Sequence, residues 1–284
     1  MIHPPFALAR RFVAGEALPD AIEVARRLNG RGLLATLDIL GENIADRTGV
    51  RAARDAYVRL LDEIALSGVD SNISIKLTML GLDVSREFCE ENLRAVLAAA
   101  RERMNFVRID MEGSRYTAAT LELFGDMRGE FADHVGPVIQ SYLYRSRPDV
   151  EELVRLRARV RLVKGAYKEP ESVAFPHRED VNRSFDELAE RLLAGGRYPA
   201  IATHDDARIA HAVEAAERLG VPPTGYELQM LYGIRPRFQE ELARRGHRVR
   251  VYVPYGAEWF PYFYRRLRER KENVLFVLKN LLRG

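Results

Sequence analysis

Ser71-Asn72-Ile73-Ser74-Ile75-Lys76-Leu77-Thr78-Met79 alternates polar and aliphatic residues along its length. A period of two puts Ile73, Ile75 and Leu77 on one face of a β-strand and Ser74, Lys76 and Thr78 on the other. The period then changes. From Ser85 to Met104, Phe88, Leu93, Val96 and Leu97 recur at helical spacing, with Ser85 placed as a cap. A second β-like run, Phe106–Met111, follows. Strand, helix and strand in this order are one step of an alternating α/β fold.

The same alternation runs through the chain. Further β-like runs are Gly32–Leu40, Gly136–Tyr142, Val160–Gly165, Ala200–Asp205, Gly225–Leu231 and Arg248–Tyr255. Helical patterns fit Thr48–Leu66, Asp149–Arg157, Asp180–Leu193, Asp206–Leu219 and Pro236–Arg245, several opening on Asp or Ser and closing near Gly. Eight strand-and-helix steps are the count of a (β/α)8 TIM-type barrel, and 284 residues suit one such domain. The expected division is a helical N-terminal segment within residues 1–31, with a helix at about Pro19–Leu28, and a barrel over residues 32–284. A doubly wound sheet is the rival. It would usually carry a Gly-rich fingerprint after the first strand, and neither that nor a P-loop motif occurs.

Composition narrows the function classes. Hydrophobic residues at 47% and charged residues at 30% are ordinary for a globular enzyme with a sizeable core. The formal charge is only +3 and no basic stripe is interleaved with aromatics, which argues against a nucleic-acid partner. Cys89 is the only cysteine, so no internal disulfide is expected and a reducing, cytoplasmic compartment is implied. Met1 to Phe12 lacks the apolar core of a secretory signal, and no apolar run reaches the roughly 18 residues needed to span a bilayer. At most a peripheral contact with the inner membrane is expected. No pattern in the chain sets an oligomeric state.

Barrel enzymes carry their chemistry at the C-terminal ends of the strands. Here those ends hold Lys76, Asp110, Gln140, Arg161 with Val163 and Lys164, the pair Gly165-Ala166, Thr203-His204, Gln229 and Tyr252. Lys76 could act as a Schiff-base nucleophile, bind a carboxylate or pair structurally with Asp110. Arg161 and Asp110 could form a buried ion pair, an electrostatic part of a cofactor site, or both. His204 could be a base, a cofactor contact or a hydrogen-bonded core residue; with His211 it does not make a metal set, so no metal is expected. No G-x-S-x-G elbow is present for a hydrolase. Near the C-terminus, Tyr262, Arg265, Arg266 and Glu269 share one helical face, and two adjacent guanidinium groups match the oxygens of a small carboxylate. The plainer alternative is a solvated basic helix in which Arg265 and Arg266 pair with Glu269 and Glu272.

Read in order, these strings resemble the proline dehydrogenase family, in its short bacterial form. The matching stretches are Ser74–Leu77, Ile109-Asp110, Val138–Gln140, Val160–Tyr167, Ala202–His204, Glu227–Gly233, Tyr252–Gly256 and Tyr262–Arg270, nearly the whole chain. The resemblance implies a barrel whose last helix lies over its mouth, FAD held without a Rossmann unit, and oxidation of L-proline to 1-pyrroline-5-carboxylate. The hydride would pass from proline C5 to the flavin N5, and the electrons to a membrane quinone. It further implies that Lys76, Arg265 and Arg266 hold the proline carboxylate, that Tyr252, Tyr262 and Leu231 frame the ring, and that Asp110 and Arg161 sit at the reacting centre. Arg161, Met111, Gln140, Val163, Lys164, Gly165, Ala166, Thr203 and His204 would contact the flavin, with Gln229 and Glu269 as supports. Glu42 would be a gating acid paired with Arg265. Lys168-Glu169-Pro170 departs from the longer, aromatic-containing segment of bifunctional relatives. A flavin-free Schiff-base lyase or aldolase using Lys76 or Lys164 is the competing expectation.

Overall fold

The computed structural model describes residues 6–269. Eight strands form one closed parallel barrel in sequence order: β1 Leu34–Ile39, β2 Ser71–Ile75, β3 Val107–Ile109, β4 Val135–Gln140, β5 Arg161–Val163, β6 Ala200–Ala202, β7 Glu227–Leu231 and β8 Val249–Tyr255. Pairing of β8 with β1, from Leu34 opposite Arg250 to Ile39 opposite Tyr255, closes the ring. The helices are α1 Leu18–Asn29, α2 Arg47–Ser67, α3 Arg86–Glu102, α4 Ser114–Phe131, α5 Ser146–Arg155, α6 Arg178–Gly195, α7 Asp206–Arg218, α8 Pro236–Arg244 and α9 Trp259–Glu269.

The period of two sorts side chains between two environments. Ile73, Ile75, Val107, Ile109, Leu162, Val251 and Val253 are fully buried in the apolar layer shared with the helices. Burying each such side chain contributes roughly 1.5–3 kcal/mol. The alternate residues face the barrel axis, and there the filling is polar. Near the N-terminal mouth, Arg250 pairs with Glu227 at 3.0 Å, Thr36 bonds Asn72 at 2.5 Å, and the fully buried Arg108 donates to the Pro137 carbonyl at 3.2 Å.

Local chemistry sets the helix starts. Ser85 Oγ accepts from the Phe88 N–H at 3.2 Å, Asp46 Oδ1 from Gly49 at 2.8 Å and Asp205 Oδ1 from Ala207 at 3.1 Å. Caps of this kind are worth about 1 kcal/mol each. The N-terminal segment adds α1, which packs its Ala21, Ile22, Val24, Ala25 and Leu28 face against β1 and β8. A 3-10 turn at Phe6–Arg11 meets α9, with Phe6 against Trp259 at 5.2 Å between ring centres.

Several strands are shorter than the sequence expectation, among them β3, β5 and β6 at three residues each, and one helix, α4, was not expected. β2 ends at Ile75, not Met79, because Thr78 turns to Glu112 instead of continuing the ladder. Helix α4 is not marked by periodicity, since Gly125 and Gly129 interrupt it. Its N-terminus is closed from a distant loop, where Glu169 accepts from the Ser114 backbone at 2.7 Å.

Candidate active site

A cavity of about 940 Å³ opens at the C-terminal ends of the strands, roofed by Pro261, Tyr262, Arg265 and Arg266 of α9. Ligand pockets usually span about 300–1,000 Å³, so this one suits a cofactor together with a small substrate. Lys76, Asp110, Met111, Gln140, Arg161, Val163, Lys164, Gly165, Ala166, Thr203, His204, Gln229, Leu231, Tyr252 and Glu42 all line it. The structure thus brings together the residues singled out above, apart from Glu269, whose side chain lies outside the described residues.

The floor is a hydrogen-bonded cluster around Asp110. Arg161 Nη1 donates to Asp110 Oδ1 at 2.8 Å and to Ser74 Oγ at 3.0 Å, and Ser74 Oγ donates to the same carboxylate oxygen at 2.7 Å. Tyr252 donates its hydroxyl to Asp110 Oδ2 at 2.7 Å. Burial first, and then the carboxylates of Asp110 and Asp38, push the Tyr252 phenol well above its ordinary range, so it remains a donor. Arg161 Nε and Nη2 are buried with no hydrogen-bond partner among the described residues. A desolvated cation with unused donors at a cavity floor is a ready contact for the acceptor atoms of an electron-poor ring.

Lys76 stands beside this cluster, and its partner is Asp38, at 2.8 Å, instead of Asp110. Burial works to lower the Lys76 pKa, but the carboxylates of Asp38, Asp110 and Glu42 outweigh it and raise the ammonium above its ordinary value. A Schiff-base lysine must lose its proton to attack a carbonyl. Lys76 is held in the opposite state, which suits a carboxylate binder. Above it, Arg265 Nη2 donates to Glu42 Oε1 at 3.2 Å, and the Arg266 guanidinium lies 5.2 Å from the Tyr262 ring centre. Arg265 therefore turns toward Glu42 within the cavity; Glu272, its other expected partner, lies outside the described residues.

The far wall is built from β5 to β7. Lys164 Nζ donates to Asn182 at 2.6 Å and to Asp205 at 2.7 Å. Burial works to raise the Asp205 carboxyl, but Lys164 holds it below the usual range. His204 Nε2 accepts from the Leu231 N–H at 2.9 Å, which makes that nitrogen the unprotonated one and fixes the ring against β7. Gln229 gives its amide hydrogen to Glu227, and Gln140 gives one to the Glu112 carbonyl at 2.9 Å. Among the described residues no cluster of three or more His, Cys, Asp or Glu could hold a metal ion.

The sequence profile of the proline dehydrogenase family matches residues 21–279. The chain belongs to the proline dehydrogenase family. It is 43% identical over 275 residues to proline dehydrogenase 1 of Bacillus subtilis (strain 168), covering 97% of this chain and 91% of that one. Proline dehydrogenase of Deinococcus radiodurans is 40% identical over 281 residues, covering 98% and 91%. The fold resembles the crystal structure of proline utilization A from Bdellovibrio bacteriovorus inactivated by N-propargylglycine, with a TM-score of 0.86 and 26% identity. That likeness covers 92% of this chain and 32% of the longer protein, so the chain spans about a third of its length. The family is one of oxidoreductases, and the chain aligns along its short bacterial members.

Among the residues at or beside the cavity that escaped the sequence reading are Asp38 and Glu112. Asp38 carries the same signal that exposed Lys76, since Thr36 and Asp38 alternate with Ala35, Leu37 and Ile39 along β1. Glu112, two residues past Asp110, accepts from the Thr78 N–H at 3.1 Å and its hydroxyl at 2.6 Å, tying the β3 end to the turn after β2. Nothing local in the chain announces that contact.

Proposed function

We propose that the protein oxidises L-proline to 1-pyrroline-5-carboxylate with FAD held in the strand-end cavity. The observation that carries this reading is the meeting of Lys76, Arg265 and Arg266 above the Arg161–Asp110–Tyr252 cluster in one cavity. Three cations around one end of a pocket match a small carboxylate, and the clamp positions the rest of the substrate. Lys76 and the two arginines bind the proline carboxylate. Tyr262, Leu231 and the Tyr252 ring frame the pyrrolidine ring and exclude water. Glu42 holds Arg265 by its ion pair when no substrate carboxylate is there.

The residues suit the cofactor. Arg161 offers two unused donors from the cavity floor. Gly165 has φ +123°, a conformation that an L side chain rarely adopts, and its missing Cβ leaves room for the Tyr142 ring behind it. Met111, Gln140, Arg161, Val163, Lys164, Gly165, Ala166, Thr203 and His204 would hold FAD, with Gln229 and Glu269 as its supports. When bound, FAD supplies the acceptor for the C5 hydride, and its electrons go on to a quinone. Asp110 and Tyr252 keep Arg161 oriented at the reacting centre, where its cation would favour the negative charge that a flavin gains on accepting the hydride. Delivery to a quinone places the protein in the cytoplasm with peripheral contact at the inner membrane. No helix among the described residues is long and apolar enough to cross a membrane.

The test is a visible spectrum of the purified protein under anaerobic conditions, before and after L-proline. A flavin spectrum bleached by proline is the expected result. A flavin spectrum that proline leaves unchanged would remove the substrate assignment. A protein that takes up no flavin on reconstitution with FAD would remove the cofactor.

A further inference from the structure

The opposite mouth of the barrel, at the N-terminal ends of the strands, holds a second concavity of about 370 Å³. It is lined by Leu34, Asp70, Arg159, Arg197, Tyr198, Arg248 and Arg250. Two of these arginines are committed to carboxylates: Arg250 to Glu227 at 3.0 Å and Arg197 to Asp133 at 2.5 Å. Arg159 and Arg248 form no ion pair among the described residues. The Arg159 guanidinium instead lies 4.1 Å from the Phe106 ring centre and 5.0 Å from that of Tyr198, and Arg248 lies 5.6 Å from the Tyr198 ring.

A guanidinium stacked on a ring face is held in orientation, yet its N–H donors all lie in its own plane and stay available to a ligand. Arg159 Nε is buried without a hydrogen-bond partner among the described residues. Tyr198 is set between the two cations by a backbone at φ +49°, an uncommon conformation for a bulky residue, and is anchored by its hydroxyl on Glu227 at 3.1 Å. Strain of this kind persists where the surroundings enforce it. Behind the wall, buried Arg108 is bonded to the Pro137 and Arg159 carbonyls and, among the described residues, to no carboxylate. The carboxylates here, Glu227, Asp133 and Asp70, leave positive charge in excess.

We propose that this mouth is a second ligand site, which takes a phosphate group on a small molecule through Arg159 and Arg248. It is independent of the proline chemistry at the other end. Asp70 is the carboxylate that lines the cavity directly, so it opposes the anion.

Isothermal titration of the flavin-loaded full chain with inorganic pyrophosphate at low ionic strength tests the site. Saturable one-site binding is expected. Arg248→Gln, a change at an exposed residue, should weaken it about tenfold, equivalent to about 1.4 kcal/mol. Asp70→Asn should tighten it. Absent or unsaturable binding, or equal affinity in parent, Arg248→Gln and Asp70→Asn, would overturn the proposal. Repeating the titration with vesicles of phosphatidylglycerol present separates the sources of the phosphate. Competition by vesicles supports the site with a lipid headgroup as occupant, and indifference to vesicles supports it with a free phosphate compound.

Discussion

Asp38→Asn is expected to stabilise the folded protein at neutral pH, although it breaks the buried pair with Lys76. Burial is the largest influence on Asp38 and lifts its carboxyl from the ordinary 3.8 to about 6. Lys76, 2.8 Å away, pulls the value down without compensating, and Asp110 adds to the rise. A carboxyl whose folded pKa exceeds its unfolded value binds its proton more tightly in the fold. Its contribution to stability is therefore fully present below about pH 3.8 and is lost as the pH climbs through about 6. At about 1.4 kcal/mol per pH unit, the loss is on the order of 3 kcal/mol at pH 7. Asparagine keeps the shape and never ionises, and Asp110 and Glu42 still face Lys76.

Urea-unfolding midpoints of parent and variant, from about pH 4.5 to about pH 8, measure the effect. The variant's advantage should grow with pH across the range and level off above about pH 7. A variant weaker than the parent by about 3–5 kcal/mol at every pH, as for an orphaned buried lysine, would refute the reasoning. On the expected outcome, the Asp38–Lys76 pair places charge in the cavity at a cost in stability.

Four further outcomes are expected. Arg265→Lys should raise the KM for L-proline about tenfold or more with flavin content retained, because a point charge does not reproduce a planar fork of donors; unchanged proline kinetics would count against the clamp. Tyr252→Phe removes the donor to Asp110 and should lower kcat/KM by about 1.5–3 kcal/mol in barrier terms, read in the same assay. Gly165→Ala places a Cβ within 2.4 Å of the Tyr142 ring at a backbone φ of +123°, so it should lower the thermal midpoint and flavin retention together. Cys89 is buried and its thiol is pushed up to about 12, chiefly by burial, so it should resist a thiol reagent at about pH 8 until urea unfolds the chain.

The barrel was legible because its two periods are local. The run Ser71–Met79, which holds β2, alternates its two faces over nine consecutive residues, and the stretch Ser85–Met104, which holds α3, repeats its apolar positions at helical spacing. Helix α4 was not, since its glycines blur the pattern and its cap, Glu169, comes from a loop elsewhere in the chain. The chemistry of the site was legible as residue types at strand ends, where the fold's own rule says to look.

Partnerships were another matter. Lys76 could have faced Asp110 by position alone, and only closure of β1 against β2 and β8 brings Asp38 to it instead. The meeting of Thr78 with Glu112, and of Arg159 and Arg248 over Tyr198, likewise depends on strands far apart in sequence. By itself, the sequence determined which side chains line the barrel, because alternation along a strand is a property of neighbouring residues. Which charges meet, which are left over and which protons they hold was decided by the tertiary structure, because burial and distances of a few ångströms exist only after the ring closes.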